Sequence, residues 1–202
     1  MKVLRRIIGA AMGLGLVALV CRPVLADDAA GIVNTVCIGC HGADGNSMAP
    51  TFPKLAGQRV EYLTKQLKEF LGGKRKNDIM APMIASLKAD DMPGLATYYA
   101  GQKAVPAGVG DAKLAEAGKK VYEDGNTDSG VPACVGCHQP GAAGNDQFPR
   151  LAGQWSSYTV QQLTDFKGGV RTNDKGKLMR NVAARMTDDE MKAVAEYLAG
   201  LQ

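Results

Sequence analysis

Apolar residues recur along the chain at intervals of three and four, the spacing of a helix with one buried face. Ile32, Val33 and Val36 mark a helix over residues 28–40, and Leu114, Val121 and Tyr122 mark one over 111–123. Tyr62, Leu63, Leu67 and Phe70 form a stripe over 59–71, and residues 155–167 repeat it. Closing helices are predicted over 89–100 and 187–199. Pro93 suits the first turn of the earlier one, where a missing N–H does little harm. Thr187-Asp188-Asp189-Glu190 has the form of a capping box for the later one. No segment alternates with the period of a strand, so the fold class is all-α.

The same pattern runs twice. Phe52-Pro53-Lys54-Leu55-Ala56-Gly57-Gln58 returns as Phe148-Pro149-Arg150-Leu151-Ala152-Gly153-Gln154. Tyr62, Gln66, Leu67 and Phe70 return as Tyr158, Gln162, Leu163 and Phe166, and Tyr98 returns as Tyr197. An internal duplication of one helical unit accounts for this. Residues 101–110, rich in Gly, Pro and Ala, read as an extended linker. The expected division is 27–101 for the first domain, 102–110 for the linker and 111–202 for the second domain. Gly-rich stretches at 42–48 and 141–145 are expected as loops wrapping a cofactor edge.

The start of the chain has another character. Lys2, Arg5 and Arg6 precede an uncharged run over residues 7–21, and small or apolar residues stand at −3 and −1 of a cut after Ala26. That is the layout of a secretory signal peptide over 1–26, and it implies the periplasm. The uncharged run is shorter than the roughly 20 residues of a spanning helix. Lys2, Arg5, Arg6 and Arg22 also account for the whole net charge of +4. Residues 27–202 are therefore neutral, without blocks of like charge, and offer no case for nucleic acid.

Chemistry enters with the two histidines, the only two in the chain. Each closes a Cys-x-x-Cys-His motif: Cys37-Ile38-Gly39-Cys40-His41 and Cys134-Val135-Gly136-Cys137-His138. This is the attachment motif of haem c, in which two thiols bond the porphyrin and the imidazole ligates iron. Two covalently bound haem c groups follow. Disulfides would not explain the histidines, and the cysteine pairs are too far apart for an ordinary zinc site. With no third histidine, bis-histidine ligation within the chain is excluded.

Methionine is the favoured sixth ligand, because its thioether suits haem iron and raises the reduction potential. Aligned back from Tyr98 and Tyr197, Met80 falls on Met179, whereas Met83 falls on Val182 and Leu87 on Met186. Met92 and Met191 also match but lie inside the closing helices. Met80 and Met179 are the expected ligands, with Met83 and Met186 as alternatives and Met48 assigned to packing. Pro53 and Pro149 offer carbonyls that could orient the imidazoles, although a simple turn explains each proline equally well.

These motifs, the tandem Phe-Pro-x-Leu-Ala-Gly-Gln segments and Leu178-Met179-Arg180 together make the chain resemble the dihaem cytochromes c4, tandem class I cytochrome c domains. The resemblance covers residues 27–202. It implies His/Met ligation at both haems and an orienting role for the Pro53 and Pro149 carbonyls. It also implies a pseudo-twofold domain pair whose haem propionates approach at the interface. The expected function is periplasmic electron transfer from a quinol-oxidising complex towards a terminal oxidase or other periplasmic reductase, rather than catalysis. A free shuttle and a peripherally membrane-associated carrier both remain open.

Overall fold

A computed structural model describes residues 25–202. The expected signal peptide, apart from its last two residues, lies outside them. The helices are α1 (Leu25–Ile32), α2 (Ile38–His41), α3 (Val60–Leu71), α4 (Met80–Ile84), α5 (Asp91–Ala100), α6 (Ala112–Asp124), α7 (Val135–His138), α8 (Ser156–Lys167), α9 (Leu178–Ala183) and α10 (Asp188–Ala199). Extended pairing among the described residues is confined to an isolated bridge between Asn126 and Val131. None of these helices is long and apolar enough to cross a membrane.

The helical stripes build two separate cores. Val33, Leu63, Leu95, Ala96 and Tyr99 close the first, with α5 packed on α1 and α3. Tyr122, Leu163, Phe166, Met191, Val194 and Leu198 close the second, with α10 packed on α6 and α8. The capping box at the start of α10 forms as read: Thr187 Oγ1 accepts from Glu190 N, and Glu190 Oε2 accepts from Thr187 N.

The copies differ at the approach to the histidine. In the first, α1 runs through a π-helical turn, Val33–Cys37, straight into α2. The wider turn re-aims Cys37 without interrupting the helix, a distortion often found at functional sites. In the second, α6 ends at Gly125, and a looped segment carries the chain to α7.

Residues 101–110 are extended, but they are stitched down. Val105 N donates to Asn46 Oδ1 (2.9 Å), Ala107 N to Gly153 O (3.1 Å) and Gly108 N to Ala199 O (3.0 Å). Glu196 accepts the amides of Gly110 and Asp111. The connection is fixed to both halves and does not act as a flexible tether.

The interface is reciprocal. Gln58 and Gln154, matched in the repeat, each bond the other half's backbone at the matched positions Arg150 and Lys54. Arg59 donates to Ala143 O and Gly144 O, while its counterpart Trp155 donates through Nε1 to Ser47 Oγ. The Gly-rich loops thus carry domain contacts as well.

Candidate haem cleft

Each histidine ends a single helical turn and is buried, His41 at 7% and His138 at 6% exposure. His41 Nδ1 lies 2.9 Å from Pro53 O, and His138 Nδ1 lies 3.1 Å from Pro149 O. A carbonyl can only accept, so Nδ1 carries the proton and Nε2 keeps its lone pair for a metal. Burial lowers both imidazole pKa values, partly opposed by those bonds. Both rings therefore stay neutral, as ligation requires. Phe52 and Phe148 set their edges against the two rings, at centroid distances of 6.4 Å and 5.9 Å.

The four motif cysteines are unpaired with one another. Burial raises the Cys37 thiol, and it pushes the Cys134 thiol up to about 11. Cys37, Cys40 and His41 share one cleft of about 560 Å³ with Cys134, Cys137 and His138. That size is typical of cofactor sites. Met80, Met83, Met179, Val182 and Met186 also line it. Met80 and Met179 lie on the short helices α4 and α9, and an upstream side chain accepts from the first turn of each. Asn77 Oδ1 accepts from Ile79 N and Met80 N, and Asp174 Oδ2 accepts from Arg180 N. Isolated helical turns are too short for periodicity to register.

Between the halves lies a polar group that the residue-by-residue reading missed. Arg75 donates to Gln66 Oε1 (2.8 Å), Gln162 Oε1 (2.9 Å) and Tyr158 OH (3.1 Å). Arg171 donates to Asn173 Oδ1 (3.0 Å), Gln162 Oε1 (2.9 Å), Tyr62 OH (3.0 Å) and Gln66 Oε1 (3.2 Å). Arg75 and Arg171 occupy matched positions in the repeat, and that match was the available signal. Neither guanidinium has a carboxylate partner among the described residues, and Arg150 Nε there is buried without any partner. Burial alone would raise the Tyr62 phenol, yet Arg171 and Arg75 turn its shift downward. The two guanidinium groups make the field at Tyr62 positive. Buried cations call for anions, and the carboxylates of two haems fit that demand.

Comparison with known proteins agrees with this geometry. The family model for cytochrome c matches residues 26–102 and again 115–202. Cytochrome c4 of Thiocapsa roseopersicina is 48% identical over 83% of this chain and 88% of its own length. The thiosulfate dehydrogenase electron acceptor of Thiomonas intermedia is 41% identical over 81% of this chain and 77% of its own. The crystal structure of reduced recombinant cytochrome c4 from Pseudomonas stutzeri superposes with a TM-score of 0.83 at 43% identity, covering 88% of this chain and 98% of that one. The chain accordingly binds two covalent haem c groups and belongs to the cytochrome c family, among the dihaem electron carriers called cytochromes c4.

Proposed function

We propose that this protein is a periplasmic electron carrier that takes electrons from a quinol-oxidising complex and delivers them to a terminal oxidase or other reductase. The observation that best supports this is the pairing of two buried, neutral, carbonyl-oriented imidazoles in one cleft that spans both halves. When bound, each haem supplies a one-electron couple. The residues supply everything else. Cys37, Cys40, Cys134 and Cys137 hold the porphyrins as thioethers. His41 and His138 would ligate the irons through Nε2, and Met80 and Met179 would supply thioether ligands. Pro53 and Pro149 fix the imidazole tautomers. Arg75, Arg150 and Arg171 neutralise the propionates. With both ligands in place the irons would offer no position for substrate, and the residues would serve to hold each haem and exclude water.

A thiosulfate-oxidising dehydrogenase is a second donor class, favoured by the similarity to the Thiomonas intermedia electron acceptor. Export through the signal peptide would place the carrier where either donor acts.

The test is a potentiometric titration followed by visible spectroscopy. Two high-potential one-electron steps, with the weak far-red band of thioether-ligated ferric haem, are expected. A high-spin ferric spectrum, or rapid carbon monoxide binding by the reduced protein, would point to an open iron and overturn the carrier reading.

A further inference from the structure

We infer that Tyr122 is a positioning residue for the second haem, its hydroxyl pinning the strained peptide that directly follows His138. The inference deepens the proposed function, because it takes His138 as an iron ligand.

Gly42 and Gln139 follow the two histidines, and both adopt the same backbone, φ 77° with ψ 155° and φ 70° with ψ 161°. That region is essentially reserved for glycine, because a Cβ collides with the neighbouring peptide. Gly42 occupies it freely, whereas Gln139 does not. Tyr122 OH donates to Gln139 O at 2.6 Å, and Ala142 N donates to the same oxygen at 3.0 Å. Tyr122 is 1% exposed, so no water competes for the bond. In the first half Tyr99 OH makes the corresponding contact to Gly42 O at 3.4 Å, a long one. The short bond therefore stands where the backbone resists its conformation.

The two tyrosines reach this place from opposite ends of their domains, and the reason is steric. Gly45 O accepts from the amides of Leu55 and Ala56, as Ala142 O does from Leu151 and Ala152, so Gly45 and Ala142 are equivalent. A Cβ on Gly45 would stand 2.7 Å from Tyr99 Cδ1. The second half carries that Cβ on Ala142, which is fully buried. A tyrosine on the closing helix would collide with it, and Leu198 occupies that helix position instead. The ring enters from the opening helix as Tyr122, where the first half has the smaller Val33. Aromatic bulk and hydroxyl have moved between helices, yet the hydroxyl still meets the carbonyl after the histidine. Packing alone would have kept the ring without this alignment.

The peptide held by Tyr122 adjoins the residue whose Nδ1 bonds Pro149 O. Letting it relax loosens that bond, reduces the basicity of the imidazole and disfavours the ferric state. The experiment uses the holoprotein and its two reduction steps. Tyr122→Phe keeps the ring and should raise one step while leaving the other in place. Tyr99→Phe should move neither appreciably. Gln139→Gly removes the strain, so Tyr122→Phe/Gln139→Gly should return to the wild-type potential. The proposal is overturned if Tyr122→Phe shifts neither step, or if Gln139→Gly fails to rescue it. A failure of His138 as ligand would be distinguishable, since the wild type itself would then lack two low-spin His/Met signatures.

Discussion

Gln58 and Arg150 exchange two hydrogen bonds across the domain interface. Gln58 Nε2 donates to Arg150 O at 2.8 Å, and Gln58 Oε1 accepts from Arg150 N at 2.9 Å. Gln154 repeats this on Lys54 at 2.9 Å each way. A side-chain amide carries a donor and an acceptor side by side, so it can pair a peptide N–H and C=O at once. Lys54 and Arg150 are the residues just after the prolines that orient the imidazoles. The two histidine supports are therefore tied to one another through the interface.

Truncating one glutamine leaves a peptide unpaired. Gln58→Ala should cost about 1–3 kcal/mol, and Gln58→Ala/Gln154→Ala should separate the single unfolding transition into two. Calorimetry of the holoprotein would read this directly. Trp155, whose Nε1 bonds Ser47 across the same interface, offers a fluorescence signal for domain separation.

Arg75 and Arg171 lie between the two histidine sites, and each touches side chains of both halves. A ferric haem carries one more positive charge than a ferrous haem, so nearby guanidinium groups favour reduction. Arg171→Gln and Arg75→Gln should each lower both reduction steps, by about 1 kcal/mol or roughly 40 mV per electron. A drop confined to one step would show that the arginine serves a single haem.

Glu190 bears on acid stability. It is 9% exposed and accepts from Asn126 Nδ2 (2.7 Å), Ser129 Oγ (2.8 Å) and Thr187 N (2.7 Å). Burial would raise its pKa, but those donors outweigh it and hold the carboxyl below its ordinary value. The folded state thus binds its proton less readily than the unfolded state. The resulting stabilisation is present above about pH 4.3 and is lost as pH falls through the lower folded value. Glu190→Gln should lose about 1–2 kcal/mol at neutral pH. It should also flatten the acid side of a plot of melting temperature against pH.

At Gly118 the backbone of α6 comes up against that of α10. A Cβ there would overlap the Ala193 carbonyl, which belongs to backbone and cannot swing away. Gly118→Ala should push the helices apart, cost about 3 kcal/mol and lower the melting temperature of the holoprotein. The matched contact in the first half, through Ala29, should be unaffected.

Periodicity revealed the long helices because each buries one stripe, as Leu63 and Leu67 do on α3. It missed α4 and α9, whose five and six residues hold too few turns to show a stripe and have Asn77 and Asp174 accepting from their first turns. The Cys-x-x-Cys-His motifs marked His41 and His138, and the repeat singled out Met80 and Met179 as matched thioethers; all four line the cleft. Arg75 and Arg171 were equally visible there, but a charge on an amphipathic helical protein reads as solvated until the fold turns it inward. Arg59 and Trp155 were not legible at all. They make equivalent contacts with unrelated chemistry, whereas Tyr99 and Tyr122 make the same contact from non-equivalent helices.

The distal ligands give the most direct test. Met80 and Met83 stand one turn apart on α4, and both line the cleft, whereas α9 offers Met179 with Val182 in the second place. Imidazole stabilises ferric iron relative to thioether, so Met80→His and Met179→His should each lower one reduction step and abolish half of the far-red band. Met179→Ala should leave the second iron open to external ligands; an unchanged spectrum would instead make Met186, the other thioether of that half lining the cleft, the ligand. Met80→Ala distinguishes the two candidates in the first domain. With Met80 as sole ligand, the far-red band halves and carbon monoxide binds one iron per molecule. With Met83 as ligand, the spectrum and both potentials stay as they are, and Met83→Ala produces the loss instead.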